Sequence, residues 1–110
     1  MQVLKVLLTL QQFEPRFATT RNEILASLSA LPLPDLILLD VTLPDTNGFD
    51  ILVKLRRHRR LNAIPVIMLT AEASREAVLN GITSGANGYI TKPFENDVLI
   101  AALNTVLGLP

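Results

Sequence analysis

The sequence predicts an α/β domain built on a parallel sheet, and three observations predict it. Short, almost continuously apolar runs end in polar loops, as expected of strands covered on both faces. Segments of helical period separate these runs, the alternation produced by parallel strands joined through crossover helices. The length, 110 residues, suits one ordinary domain that buries about two-thirds of the surface its unfolded chain exposes. Residues 1–110 are accordingly expected to form a single domain.

The clearest strands are residues 36–41 and 66–70, each led in by a proline, Pro34 or Pro65. A shorter strand is expected at 88–91, ended by Pro93, which has no amide hydrogen for a ladder. Between the first two, Phe49, Leu52, Val53 and Leu55 recur at helical spacing up to a basic end at Arg56, Arg57, Arg59 and Arg60. Cations there complement the helix dipole, and the run Arg56-Arg57-His58-Arg59-Arg60 is expected to be a solvated face. Ser74 is the expected N-cap of a helix through Ile82 that stops near Gly85. The last helix places Leu99, Ala102, Leu103 and Val106 on one face, with Gly108 as its stop. Upstream, residues 23–31 read as a helix with the stripe Ile24, Leu28 and Leu31, preceded by a short weak strand at 17–20. Residues 3–10 fit a buried helix better than a half-buried strand, because apolar and polar residues do not alternate.

Composition removes several functional classes. Ten Lys plus Arg balance ten Asp plus Glu, so no net field draws in nucleic acid or anionic lipid, and no direct nucleic-acid binding is expected. There is no cysteine, hence no disulfide framework or thiolate metal site, and the single histidine, His58, makes a catalytic triad a poor reading. At 49% hydrophobic and 18% charged, the chain is too apolar for disorder. The apolar stretch at residues 3–10, interrupted by Lys5 and Thr9, is far shorter than the roughly 20 residues of a membrane span. No membrane partner and a cytoplasmic location are the expectations.

The chemistry gathers where strands end. Asp40 closes an apolar strand, Thr70 ends the next, and Lys92 follows the last. In an open parallel sheet, ligands bind just outside the carboxyl ends of the strands. A carboxylate, a hydroxyl and an ammonium at one edge would suit a small anion attached to, or held beside, Asp40. Taken singly, Asp40 could cap the turn at residues 45–48, Thr70 could be an ordinary strand-end hydroxyl, and Lys92 a solvated cation.

Four motifs in order carry a resemblance. They are Asp35-Leu-Ile-Leu-Leu-Asp40-Val-Thr-Leu-Pro44, then Gly48, then Pro65-Val-Ile-Met-Leu-Thr70-Ala71, then Gly85-Ala-Asn-Gly-Tyr89-Ile-Thr-Lys92-Pro93-Phe94. Pro44 and Gly48 lie four and eight residues after Asp40, Thr70 lies 30 after it, Tyr89 49 and Lys92 52. Over residues 17–110 the chain resembles the receiver domain of two-component response regulators, of the single-receiver chemotaxis type. The resemblance implies a flavodoxin-like, doubly wound parallel sheet with helices on both faces and strand order 2-1-3-4-5.

It also implies roles. Asp40 would be the phosphoacceptor. Thr70, Ala71 and Lys92 would bind the phosphoryl group, Thr70 and Tyr89 would form the switch, and Lys92-Pro93 would be a cis peptide. The implied partners are a histidine kinase or phosphotransfer protein and a downstream protein, with a homodimer also open. The implied role is signalling rather than enzymatic.

One departure stands at the front. The family opens with a central strand ending in an acidic pair that helps bind magnesium, and the register set by the later motifs places that strand before Met1. Residues 3–12 are then expected to correspond to the first helix and the domain to be N-terminally truncated relative to the family, its central first strand missing or replaced, and no acid occurs in residues 1–13. Asp40 and the Thr42 backbone carbonyl would be left as the metal ligands, so Mg2+ is expected to bind weakly or not at all. Asp45 and Glu72 are the nearest substitutes in sequence. A receiver-like binding or dimerising module that works without phosphorylation is the alternative function.

Overall fold

The computed structural model describes residues 18, 20–29, 33–40, 45 and 47–108. In chain order its elements are α1 (Arg21–Ser29), β1 (Ile37–Leu39), α2 (Gly48–Arg57), β2 (Val66–Thr70), α3 (Arg75–Thr83), β3 (Gly88–Thr91) and α4 (Asn96–Leu107). The strands are parallel, in the order β1-β2-β3, with Leu39 opposite Met68 and Thr70 opposite Thr91. That is the α/β class expected, and the side-by-side order of these strands agrees with the last three of the 2-1-3-4-5 arrangement.

All five residues of β2 are buried, and their alternation feeds two cores. Val66 and Met68 pack with Leu39, Ile51, Leu52 and Leu55, and Ile24 and Leu28 of α1 lie against this cluster. Ile67 turns the other way, to Leu99 and Leu103 of α4, joined by Leu38 and Ile90. Helices therefore cover both faces.

Local chemistry sets the boundaries. Ser74 accepts from the Ala77 amide, the expected N-cap of α3, and Gly85 takes a φ of 108° just after its end. Gly108 closes α4 at a φ of 71°. Thr20 and Glu23 form a capping box, Thr20 Oγ1 accepting from the Glu23 amide and Glu23 Oε1 from the Thr20 amide, both at 3.2 Å. That cap starts α1 two residues early, and Ala18 and Thr20, the described residues of the expected weak strand at 17–20, are not in a strand; Phe17, Thr19 and Leu31 lie outside the described residues. So do residues 3–12, on which the expected N-terminal helix and the departure from the family fall.

Arg56 corrects the expectation of a wholly solvated basic run. Its Nε donates to the Gly85 carbonyl at 2.9 Å, Nη1 to the Ile64 and Asn62 carbonyls at 2.8 and 3.3 Å, and Nη2 to Asn87 Oδ1 at 2.9 Å. Asn87 also brackets the start of β2, its amide donating to the Val66 carbonyl and its Oδ1 accepting from the Val66 amide. One guanidinium thus ties the loops before β2 and β3 together, at the sheet edge opposite the strand ends that carry Asp40 and Lys92. Arg57, Arg59 and Arg60 are exposed.

Arg56→Ala should cost roughly 2 kcal/mol in urea denaturation, the range of charge-assisted hydrogen bonds. Arg59→Ala should change stability by less than about 0.5 kcal/mol. Equal losses would show that the four Arg56 bonds carry no net stability.

Candidate functional site

Three strand ends meet at one edge because the strands are parallel. Asp40 follows β1, Thr70 closes β2, and Lys92 follows β3, its amide donating to the Thr70 carbonyl at 2.8 Å. This bond continues the ladder one residue past β3. It holds the Lys92 backbone where its side chain reaches across β2, and Lys92 Nζ lies 3.0 Å from Asp40 Oδ2. Asp40 and Lys92, 52 residues apart in sequence, form an ion pair whose side chains are 29% and 45% exposed. Such a pair adds little to stability, so its significance is positional.

Thr70 is wholly buried and is the only polar residue in the described core. Its Oγ1 accepts from the Glu72 amide at 3.3 Å, which leaves its own proton to donate. Glu72 in turn offers its carbonyl to the Tyr89 hydroxyl at 2.6 Å. Two hydrogen bonds joined through the Glu72 backbone therefore link the strand-end hydroxyl to the aromatic residue. Ala71, between Thr70 and Glu72, is exposed, and the Lys92–Pro93 peptide is cis.

Tyr89 is half-buried against the cluster that contains Leu52 and Met68. Burial raises its phenol above the ordinary tyrosine value, and the negative charges of Glu72 and Asp40 add to the effect.

Thr42 lies outside the described residues. Asn47, read only as part of a turn, is the N-cap of α2, its Oδ1 accepting from the Phe49 amide at 2.7 Å. An Asn before a helical run is a recognisable cap, so that signal was present in the sequence.

Receiver domains typically use magnesium when they are phosphorylated. Among the described residues, no group of three or more His, Cys, Asp or Glu side chains could hold a metal ion. Asp40, which follows β1, already shares a carboxylate oxygen with the Lys92 ammonium.

Comparison with known proteins places the chain in a family. The family model of the response regulator receiver domain matches residues 1–104, and the chain belongs to that family of two-component signalling modules. The chain is 43% identical over 74 residues to the DNA-binding dual master transcriptional regulator RpaA of Synechocystis sp. (strain ATCC 27184 / PCC 6803 / Kazusa), covering 67% of this chain and 31% of that protein. It is 39% identical over 72 residues to the chemotaxis protein CheY1 of Helicobacter pylori (strain J99 / ATCC 700824), covering 66% of this chain and 58% of that one. The alignment thus spans about a third of the first relative and under two-thirds of the second. Among solved structures, a response regulator from Chloroflexus aurantiacus J-10-fl superposes with a TM-score of 0.89 at 32% identity, covering 97% of this chain and 87% of that one. No helix among the described residues is long and apolar enough to cross a membrane.

Tyr89 is the only tyrosine and the chain has no tryptophan, so its ionisation can be read directly by ultraviolet absorbance. It should titrate above 10.0, and Glu72→Gln should move it part of the way back. An acid whose folded pKa is raised keeps its proton when the unfolded chain has lost it. Its contribution to stability is therefore complete below pH 10.0 and falls away as pH rises toward the folded value. A titration at or below the ordinary value would contradict the half-buried placement of the ring.

Proposed function

We propose that the chain is a phosphorylation-driven receiver that accepts a phosphoryl group on Asp40 and relays its state to a partner-binding face near Tyr89 and α4. The observation that carries this reading is the 3.0 Å approach of Lys92 Nζ to Asp40 Oδ2 at the carboxyl edge of the sheet. A nucleophile for phosphoryl transfer needs a cation beside it to take up the charge of the incoming group.

In the proposed reaction, a carboxylate oxygen of Asp40 attacks the phosphorus of a phosphohistidine on a kinase or phosphotransfer protein. The new O–P bond forms as the P–N bond breaks, and the electron pair returns to the imidazole, which takes a proton from solvent. Lys92 then donates to a phosphoryl oxygen in place of the carboxylate oxygen. Thr70 donates its hydroxyl to a second oxygen, and the Ala71 amide to a third. Drawing Thr70 toward the phosphoryl group alters its bond with the Glu72 amide, and the Glu72 carbonyl is the acceptor for Tyr89. The population of Tyr89 positions shifts in consequence, which is how a local charge change becomes a changed surface. That surface carries exposed apolar residues on both neighbouring helices, Leu79 and Ile82 on α3 and Val98 on α4. A downstream protein or a second copy of the chain would bind there, in the cytoplasm. No step is assigned to magnesium, which we expect to bind weakly.

The alternative is a receiver-shaped binding or dimerising module that works without phosphorylation. Its support is in the sequence, where residues 1–13 contain no Asp or Glu.

Incubation with acetyl phosphate and magnesium, followed by mass spectrometry, should place any stable phosphoryl group on Asp40, and Asp40→Asn should abolish it. Label persisting in Asp40→Asn would remove the assignment; no label on the wild type would favour the alternative.

In a beryllofluoride titration, Lys92→Ala should weaken the response by about tenfold or more, the equivalent of one charge-assisted hydrogen bond of at least about 1.5 kcal/mol. Arg59→Ala, exposed at the other edge of the sheet, should match the wild type. Equal losses would mean that Lys92 does not contact the anion.

A further inference from the structure

Gly81 lies in the middle of α3 and is buried, although glycine is among the poorest helix formers. No unusual backbone conformation calls for it, since Gly85 and Gly108 are the glycines with positive φ. What the position lacks is room. A Cβ on Gly81 would sit 3.0 Å from Tyr89 Cδ2, 3.2 Å from Tyr89 Cε2 and 3.4 Å from Phe49 Cε1. Carbon atoms prefer separations of about 3.5–4.0 Å, so the phenol ring occupies the space that a side chain would fill. The same ring donates its hydroxyl to the Glu72 carbonyl, so its edge rests on α3 while its tip rests on the loop before α3.

We propose that Gly81 is the positioning residue for Tyr89: its missing Cβ forms the seat that holds the phenol ring between α3 and Phe49 with the hydroxyl on the Glu72 carbonyl. The inference rests on the reading of Tyr89 as the switch and adds the group that makes its seated position available. Of the two partners in a clash at this point, the ring is the one that can move. The Cβ is fixed to a helix whose own N-cap and C-terminal bonds are in place, whereas Tyr89 can rotate about its side-chain bonds. A side chain at position 81 therefore displaces the ring toward solvent and leaves α3 intact. Leu79 and Ile82 of the same helix are about half exposed.

The test uses the full chain with Gly81→Ala and Gly81→Val, and Leu79→Ala as the control on the same helix. Circular dichroism first establishes that each variant is folded. Gly81→Ala should keep or gain helix content, since alanine is the better helix former. The ultraviolet titration of the single tyrosine and acrylamide quenching of its fluorescence then report where the ring lies. The charged groups that bear on the phenol, Glu72 and Asp40 with its Lys92 partner, are unchanged in all three variants.

The seat predicts a downward shift of the Tyr89 titration and stronger quenching in Gly81→Ala. Both effects should be larger in Gly81→Val, and Leu79→Ala should match the wild type. Should the valine variant fail to fold, the alanine variant decides. An unchanged titration and unchanged quenching in the folded Gly81 variants would overturn the inference, as would an equal shift in Leu79→Ala. A beryllofluoride titration of the same proteins separates the two levels. If the ring moves and the response to the phosphoryl mimic falls with it, seat and switch both stand. If the ring moves and the response is unchanged, the seat stands and the switch role of Tyr89 falls.

Discussion

The parallel pairing of β2 on both of its edges is the constraint on which the rest of the structure depends. A strand with both neighbours parallel needs a crossover on each side, so α2 and α3 follow from it, and both faces of the strand must be covered. Val66 and Met68 satisfy one cover and Ile67 the other. The same pairing brings the ends of β1, β2 and β3 to one edge. An ion pair between residues 52 apart in sequence is then a matter of register, since a shift of one residue would turn Thr70 and its neighbours to opposite faces.

Register is secured at the other end of the strands. Asn87 imitates a ladder residue, giving an amide to Val66 and taking one from it before β3 formally begins. Arg56 then holds Asn87, Gly85 and Ile64 with one planar group, which matches several acceptors at fixed angles better than a lysine would. The beginnings of β2 and β3 are thus fixed to each other before their ends have any chemistry to perform. The buried Thr70 sits at the end of the strand so held, and its hydroxyl is directed by a packed backbone rather than by a loop.

The apolar runs made much of this legible. Residues 66–70 and 88–91 stand where alternation and proline placed them, Ser74 caps α3, and Asp40, Thr70 and Lys92 fall at strand ends. What the sequence hid belongs to contacts between distant segments. Within Arg56-Arg57-His58-Arg59-Arg60, one arginine is engaged with carbonyls that depend on where two other loops lie, and nothing local distinguishes it from its neighbours. Gly81 looks like a blemish in a helix until the ring of Tyr89 is placed against it. Glu72 contributes a backbone amide and a backbone carbonyl, groups that every residue has, so no residue type could announce them. Thr20 and Asn47 are a different case. Both are strong caps: Thr20 reads as strand because α1 is weakly patterned, and Asn47 reads as turn because it stands within Asp45-Thr46-Asn47-Gly48.

The electrostatics of the site edge follow from the same topology. Because each helix returns from the end of a strand, α2, α3 and α4 all begin at the edge where Asp40 and Lys92 lie, and their amino-terminal dipole ends would together draw anions. Acids occupy the first turns, Asp50 in α2, Glu76 in α3 and Asp97 in α4. These side chains stabilise their helices and offset much of that field. With the whole chain at zero formal charge, long-range attraction contributes little to bringing an anion to this edge. Recognition there has to come from contact, and the cation already placed on Asp40 is Lys92. Under the proposed function, such a site would respond to a phosphoryl group bonded to Asp40 more than to free anions in solution. That selectivity is what a receiver needs, since its output should follow the covalent state of one aspartate and not the ambient concentration of phosphate.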